Sequence, residues 1–159
     1  MGFTTTDLCD EFADRLLFPA PIFTSYGGKA NFCGPIATLK VFEDNALVRT
    51  TLSTPGAGKV LVVDGGGSLR CALVGDQLAT LALQNGWSGV VVNGCIRDSA
   101  IVKGIAVGLM ALSTHPLRSA RKAIGDAEVP VSFAGVTFKP GAYLYADADG
   151  IIIADQSLT

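Results

Sequence analysis

Three residues in the stretch GDQLATLALQNGWSGVVVNGCIRD carry groups suited to chemistry on a small anion: Asp76, then, after twenty intervening residues, the adjacent pair Arg97 and Asp98. An interval of that length fits one strand-helix-strand return, which brings the early acid back beside the late pair. Two carboxylates and a guanidinium converging in one crevice suit a divalent cation, which takes hard oxygen ligands, and a small anionic substrate, which a guanidinium holds with a fixed fork of donors. The same residues also admit a purely structural reading. In that reading Asp76 caps a helix, Asp98 precedes the next one, and Arg97 pairs with a nearby acid.

The elements that must position this trio are legible around it. KVLVVD, apolar at successive positions, reads as a strand buried on both faces, and it empties into the turn GGGS. GDQLATLALQNG places Leu78, Leu81 and Ala82 on one face, with Asp76 in the first turn and Gly86 past the end, which are helix start and stop signals. SGVVVNG is a second buried strand ending at Gly94, and CIRD is the loop leading into SAIVKGIAVGLMALS, whose length and period predict another helix. Upstream, TTTDLCDEFADRL predicts an amphipathic helix behind Thr caps, ATLKVF a strand, and DNALVRTTLS a short helix closed by the PGAG turn. Downstream, VPVSFAGVTF predicts a hairpin or bent strand, followed by strands in GAYLYADADG and GIIIAD. The expectation is an α/β core with a β-rich second half, in a single domain spanning residues 1–159.

Composition agrees and excludes several classes. A chain of 159 residues with 49% hydrophobic and 16% charged content is enough for one well-cored domain. Net charge is −2 and the basic residues are scattered, so no footprint for direct nucleic-acid binding is present. No basic segment followed by an apolar one opens the chain, and the apolar runs are broken by Gly or charge before a membrane span's length; a cytoplasmic protein without membrane contact is expected. Cys9, Cys33, Cys71 and Cys95 lack CxxC spacing and are read as reduced, small apolar residues rather than zinc ligands or a disulfide scaffold.

Other motifs carry weaker chemistry. DGGGS after a strand imitates a nucleotide or S-adenosylmethionine loop, but the spacing is neither GxGxxG nor GxxxxGK[ST], and a tight turn needs the same glycines. His115, the sole histidine, sits beside Pro116 with no triad or metal partner in view and is read as a surface residue. Arg118, Arg121 and Lys122 form a basic cluster that could meet RNA or an acidic partner, although three charges in a loop are usually solvated surface.

The trio and its spacing resemble the Asp-X20-Arg-Asp signature of the class II 4-hydroxy-4-methyl-2-oxoglutarate aldolases, within the larger family of proteins like the regulator of ribonuclease activity A (RraA-like). The resemblance continues through YGGKANFCGPIATLKVFEDNALV, VLVVDGGGSLRCALVGD and GVTFKPGAYLYADADGIII. It implies a compact α/β/β swivelling-domain fold, akin to the phosphohistidine domain, assembled as a homotrimer with sites near subunit boundaries. It implies two alternative functions: a metal-dependent aldolase that also decarboxylates oxaloacetate, or a noncatalytic regulator that binds and inhibits ribonuclease E. The complete acidic signature favours the aldolase. An older reading of similar sequences as menaquinone methyltransferases is attributed to their DGGGS-like strand end.

Carried onto this chain, the resemblance makes Asp98 the ligand of Mg2+ or Mn2+, with waters filling most of the shell. Arg97 would hold the carboxylate and keto oxygens of a 2-oxo acid, and the backbone amides of Gly75, Asp76, Gln77 and Leu78 would receive its carboxylate at a helix start. Asp76 would orient a water that takes the C4 hydroxyl proton, releasing two pyruvates from 4-hydroxy-4-methyl-2-oxoglutarate. Longer aldolases add a glutamate from a neighbouring subunit's C-terminal extension; with this chain closing at Thr159, that contribution is expected to be missing.

Overall fold

The structure, a computed structural model, describes residues 2–159. Along the chain the elements are α1 (Thr5–Phe12), β1 (Leu16–Leu17), β2 (Thr24–Ser25), β3 (Phe32–Lys40), α2 (Ala46–Leu52), β4 (Val60–Asp64), β5 (Ala72–Val74), α3 (Asp76–Gln84), β6 (Gly89–Ile96), α4 (Ser99–Val102) and β7 (Gly108–Thr114). The β-rich remainder comprises β8 (Asp126–Ala127), β9 (Val131–Phe133), β10 (Val136–Phe138), β11 (Tyr143–Asp147) and β12 (Gly150–Ala154). The main sheet runs β1-β12-β11-β3-β4-β6-β7-β2, with β5 added beside β6 and β8 beside β3.

Strand β3 joins two halves of that sheet. Its residues Ile36 to Lys40 pair in parallel with β4, whereas Phe32 to Pro35 pair antiparallel with β11. The parallel half, β3-β4-β6-β7, has Leu61, Val63, Val90 and Val92 packed with Val48, Leu52, Leu78 and Ala82 of the helices. The alternate residues Val60, Val62 and Val91 pack with Val131 and Phe138 of the β9–β10 hairpin and with Leu144 and Ile153 of the antiparallel half. Successive side chains point to opposite faces, so one apolar run such as VLVV supplies both cores. The result is a helix layer, a mixed sheet and a second β layer, the α/β architecture that the sequence implied. A third cluster fastens α1 through Leu8 to Tyr145, Ile152 and Ala154.

Local chemistry explains most boundaries. Thr4 caps α1, its hydroxyl accepting from the Asp7 N–H at 3.1 Å. The α-helix ends at Phe12 and tightens into a 3-10 turn over Ala13–Arg15, after which Leu16 and Leu17 join the sheet against Ala154 and Ile153. The strand ATLKVF extends back to Phe32, since β11 supplies partners for its first residues.

One element is corrected. SAIVKGIAVGLMALS is not one helix: α4 stops at Val102, and Gly108–Thr114 forms β7, parallel to β6 and flanked on its other side by the short edge strand β2. A strand covered on both faces is apolar at every position, which over a short run looks the same as a buried helix. Its alternation shows only once the strand is folded, with Leu109 and Ala111 packing on the helix side and Met110 on the other.

All four cysteines are free thiols, Cys71 and Cys95 buried and Cys9 and Cys33 half-buried, and burial pushes each thiol's pKa up. Among the described residues no helix is long and apolar enough to cross a membrane.

Candidate active site

Strands β5 and β6 lie side by side and parallel, Val74 opposite Ile96, so the chain leaves both at the same edge of the sheet. Helix α3 connects them. Asp76 therefore opens the helix that follows β5, while Arg97 and Asp98 follow the last residue of β6, and the Arg97 N–H donates to the Val74 carbonyl at 2.9 Å. Crevices outside the carboxyl ends of parallel strands are where α/β sheets bind ligands, because helix N-termini converge there with unpaired N–H groups. The strand-helix-strand return thus brings the early acid back to the late pair.

Gly75 is the N-cap of α3, with φ −132° and ψ −161°, an ordinary extended conformation. Its requirement is space. A Cβ there would stand 2.6 Å from the Asp98 Oδ2 and 3.3 Å from the Arg97 Cγ. Asp98 takes the left-handed conformation, φ 59° and ψ 37°, which is uncommon for a non-glycine residue and best tolerated by Asn and Asp. It is the N-cap residue of α4, but its side chain makes no capping hydrogen bond to that helix. Its Oδ2 instead accepts from the backbone N–H of Asp76 at 3.3 Å, at the positive end of α3. Among the described residues its other carboxylate oxygen makes no hydrogen bond, and the residue is exposed.

Arg97 does not pair with an acid. The one ion pair among the described residues joins Arg70 to Glu43, and the Arg97 Nη1 reaches only the Pro116 carbonyl, at 3.4 Å. Asp76 and Arg97 are half-buried at the wall of a cleft of about 140 Å³ that also contains Gly75, Gln77, Leu78 and Asp98. All six residues expected from the sequence border that one space.

The cleft holds residues that sequence reasoning missed. Arg49 of α2 was not singled out; it reaches the site because α2 packs on α3, and its Nη2 donates to the Gln77 Oε1 at 3.3 Å. Arg118 and Arg121, visible in the sequence only as a basic loop, also line it. Four arginines thus face two aspartates, an arrangement that attracts anions.

No group of three or more His, Cys, Asp or Glu residues suited to a metal is present among the described residues. The donor set fits Mg2+ or Mn2+ instead. These hard cations keep several waters and are held by one or two carboxylates plus substrate oxygens, and Asp98 offers an exposed carboxylate beside the cleft.

Other candidates resolve into structure. Gly66 and Gly67 take φ of 68° and 72°, and the Asp64 Oδ1 accepts from the Gly66 N–H at 2.9 Å, so the DGGGS glycines are accounted for by the turn itself. His115 is half-buried rather than fully on the surface, and its Nδ1 accepts from the Leu117 N–H at 3.1 Å. A larger cleft, about 570 Å³, is walled by Phe18, Phe23, Met110 and Ile151. Of its three acids, Asp10, Asp147 and Asp149, Asp147 is committed to the Thr5 N–H and hydroxyl, both at 2.7 Å, and to the Asp149 N–H at 3.0 Å. It contains no cation-and-acid set comparable to that around Arg97.

Comparison with known proteins places the chain in a family. Proteins of Laribacter hongkongensis and Aromatoleum aromaticum, each named "Putative 4-hydroxy-4-methyl-2-oxoglutarate aldolase", are 60% and 58% identical over 158 residues, 99% of either chain in both cases. Among solved structures, the RNA-processing inhibitor RraA from Thermus thermophilis superposes with a TM-score of 0.95 at 46% identity, covering 100% of this chain and 96% of that one. A Geobacillus kaustophilus protein described as an S-adenosylmethionine: 2-dimethylmenaquinone methyltransferase gives 0.96 at 51%, covering 98% and 97%. The model of the RraA-like family, Aldolase/RraA, matches residues 5–153, and the chain belongs to that family.

Proposed function

We infer that the protein is a divalent-metal-dependent class II aldolase that cleaves 4-hydroxy-4-methyl-2-oxoglutarate to two pyruvates and decarboxylates oxaloacetate through the same enolate. The observation that carries this reading is the convergence of Asp76, Arg97 and Asp98 on one arginine-rich cleft at the carboxyl ends of β5 and β6. The names of relatives near 60% identity support the aldolase part of this reading.

Asp98 would hold Mg2+ or Mn2+, and the bound cation would supply the Lewis acidity that favours charge on the keto oxygen. The remaining work falls to the chain. Arg97, with no acid to neutralise it, directs its guanidinium donors to the carboxylate and keto oxygens of the 2-oxo acid and stabilises the charge that develops as the bond beyond C3 breaks. The first-turn N–H groups of α3 have no intrahelical acceptors, and those of Gln77 and Leu78 receive the substrate carboxylate, while that of Asp76 is already given to Asp98. Asp76 holds the water through which the C4 hydroxyl proton leaves. With oxaloacetate, CO2 departs instead and the same donors face the same oxygen. Chemistry of this kind needs no lysine Schiff base, and no lysine lines the cleft.

A regulatory reading, binding and inhibition of ribonuclease E, has support in the likeness to the Thermus RraA. A protein-binding surface has no need of two carboxylates around an unpaired arginine, and this places the aldolase first. A homotrimer with sites near subunit boundaries completes the proposal, which light scattering tests. The deciding experiment is pyruvate release from 4-hydroxy-4-methyl-2-oxoglutarate and from oxaloacetate, with and without EDTA. Turnover abolished by EDTA and restored by Mg2+ or Mn2+ is expected. Full activity in rigorously metal-free protein defeats the mechanism, and no turnover of either acid beside measurable ribonuclease E inhibition puts the regulator first.

A further inference from the structure

The segment 116–124 is tied to the body of the protein at several points although, Ser119 apart, its residues are exposed. The Pro116 carbonyl accepts from Arg97, the Leu117 carbonyl accepts from the Ala72 N–H at 2.8 Å, and the Ala120 carbonyl accepts from the Asn45 N–H at 3.1 Å. Buried Asp44 clasps the far end, accepting from the N–H groups of Lys122 at 2.7 Å and Ala123 at 3.3 Å. The strap therefore presents Arg118 and Arg121 from a fixed backbone. Both line the cleft, both are exposed, and neither guanidinium makes a hydrogen bond or ion pair among the described residues. Arg49, by contrast, is already engaged by Gln77, and Lys122 does not line the cleft.

Charge matching extends the argument. A monocarboxylate is answered by Arg97 and the start of α3, which leaves two unpaired guanidinium groups facing the same space. A second carboxylate, farther along the substrate, is the group that matches them. We propose that Arg118 and Arg121 are specificity residues that recognise the second carboxylate of a dicarboxylic 2-oxo acid. This rests on the aldolase reading for the placement of the first carboxylate. It assigns selection of dicarboxylic over monocarboxylic 2-oxo acids to the strap, outside the Asp76, Arg97 and Asp98 constellation.

The test uses unreactive acids, so that binding is read without turnover. 2-Oxoglutarate carries both carboxylates of the aldolase substrate skeleton, and 2-oxopentanoate has the same chain with a methyl group in place of the second. Calorimetric titration of the full-length protein in the presence of Mg2+ is expected to show 2-oxoglutarate bound about tenfold more tightly, in line with two partly solvated charge pairs. In the double variant Arg118→Gln and Arg121→Gln the ratio should fall to near one with the melting temperature unchanged, because both side chains are exposed. Lys122→Gln removes a neighbouring charge outside the cleft and should leave the ratio intact. A ratio that survives the double substitution, a wild type without preference, or an equal collapse in Lys122→Gln overturns the proposal. Preference without pyruvate release would keep the anion site and reject the aldolase, and release without preference would do the reverse.

Discussion

The Asp98 carboxylate accepts, at 3.3 Å, the backbone N–H of Asp76, twenty-two residues earlier in the chain. The contact joins the end of β6 to the start of α3 and uses one first-turn donor of that helix. On the aldolase reading one side chain would carry both a structural and a chemical role: one oxygen steadies the helix start, and the other, which makes no hydrogen bond among the described residues, would be the one to meet a cation.

Asp98→Asn separates these roles. Asparagine tolerates the left-handed backbone and retains an oxygen for the Asp76 N–H, so stability should change by no more than about 0.5 kcal/mol. Pyruvate release should fall by about 100-fold or more, since a neutral amide is a poor ligand for Mg2+. Asp98→Ala adds backbone strain and removes the acceptor, at about 1–2 kcal/mol in urea denaturation. Near-normal, EDTA-sensitive turnover in Asp98→Asn would move the cation elsewhere.

Gly75→Ala tests the packing of the site. The new methyl meets side chains rather than backbone, the end of Asp98 and the stem of Arg97, and φ is ordinary, so the fold should survive with a loss of about 1 kcal/mol or less. Displacement of Asp98 and Arg97 should nevertheless cost about tenfold or more in kcat/KM, as misplacement by an ångström does. Unaltered kinetics together with an unaltered melting temperature would mean that the two side chains need not hold their observed positions.

Arg97→Lys keeps the charge and gives up the planar fork. Turnover should drop by about 100-fold while stability changes little, because the guanidinium is tied to the rest of the fold only by its long hydrogen bond to the Pro116 carbonyl. Steady-state kinetics beside thermal melts distinguish this from a merely structural arginine, whose replacement would lower both or neither.

Asp44 links pH to the strap. Burial raises its pKa, but N–H donors from Ala46, Lys122, Ala123 and Ile124 outweigh that and hold the carboxyl below the usual carboxylate range. A folded pKa below the unfolded one means that the unfolded chain binds the proton more tightly. The stabilisation is therefore complete above the unfolded pKa and is lost as pH falls through the folded one. Urea midpoints should hold down to about pH 5 and then decline. Asp44→Ala should flatten its share of that decline and cost about 2–3 kcal/mol at neutral pH, the penalty for orphaned N–H groups. An identical acid profile in Asp44→Ala would assign the decline to other groups such as Asp147, whose pKa is also lowered.

What the sequence determined by itself was local or periodic. The helix over Asp76 to Gln84, the buried runs at Val60 and Gly89, the glycine turn after Asp64 and the Asp76, Arg97, Asp98 spacing follow from side-chain period, capping chemistry and chain length. Tertiary structure decided what depends on neighbours far along the chain. Residues Gly108 to Thr114 became a strand because β6 offered a parallel edge that an apolar run can join. Arg49 entered the cleft because α2 packs on α3, and Arg118 and Arg121 entered it because Asp44, Asn45 and Ala72 fasten their loop there. Such interactions span tens of residues and leave no period in the sequence, so the cleft's excess of positive charge emerges only when the chain is folded.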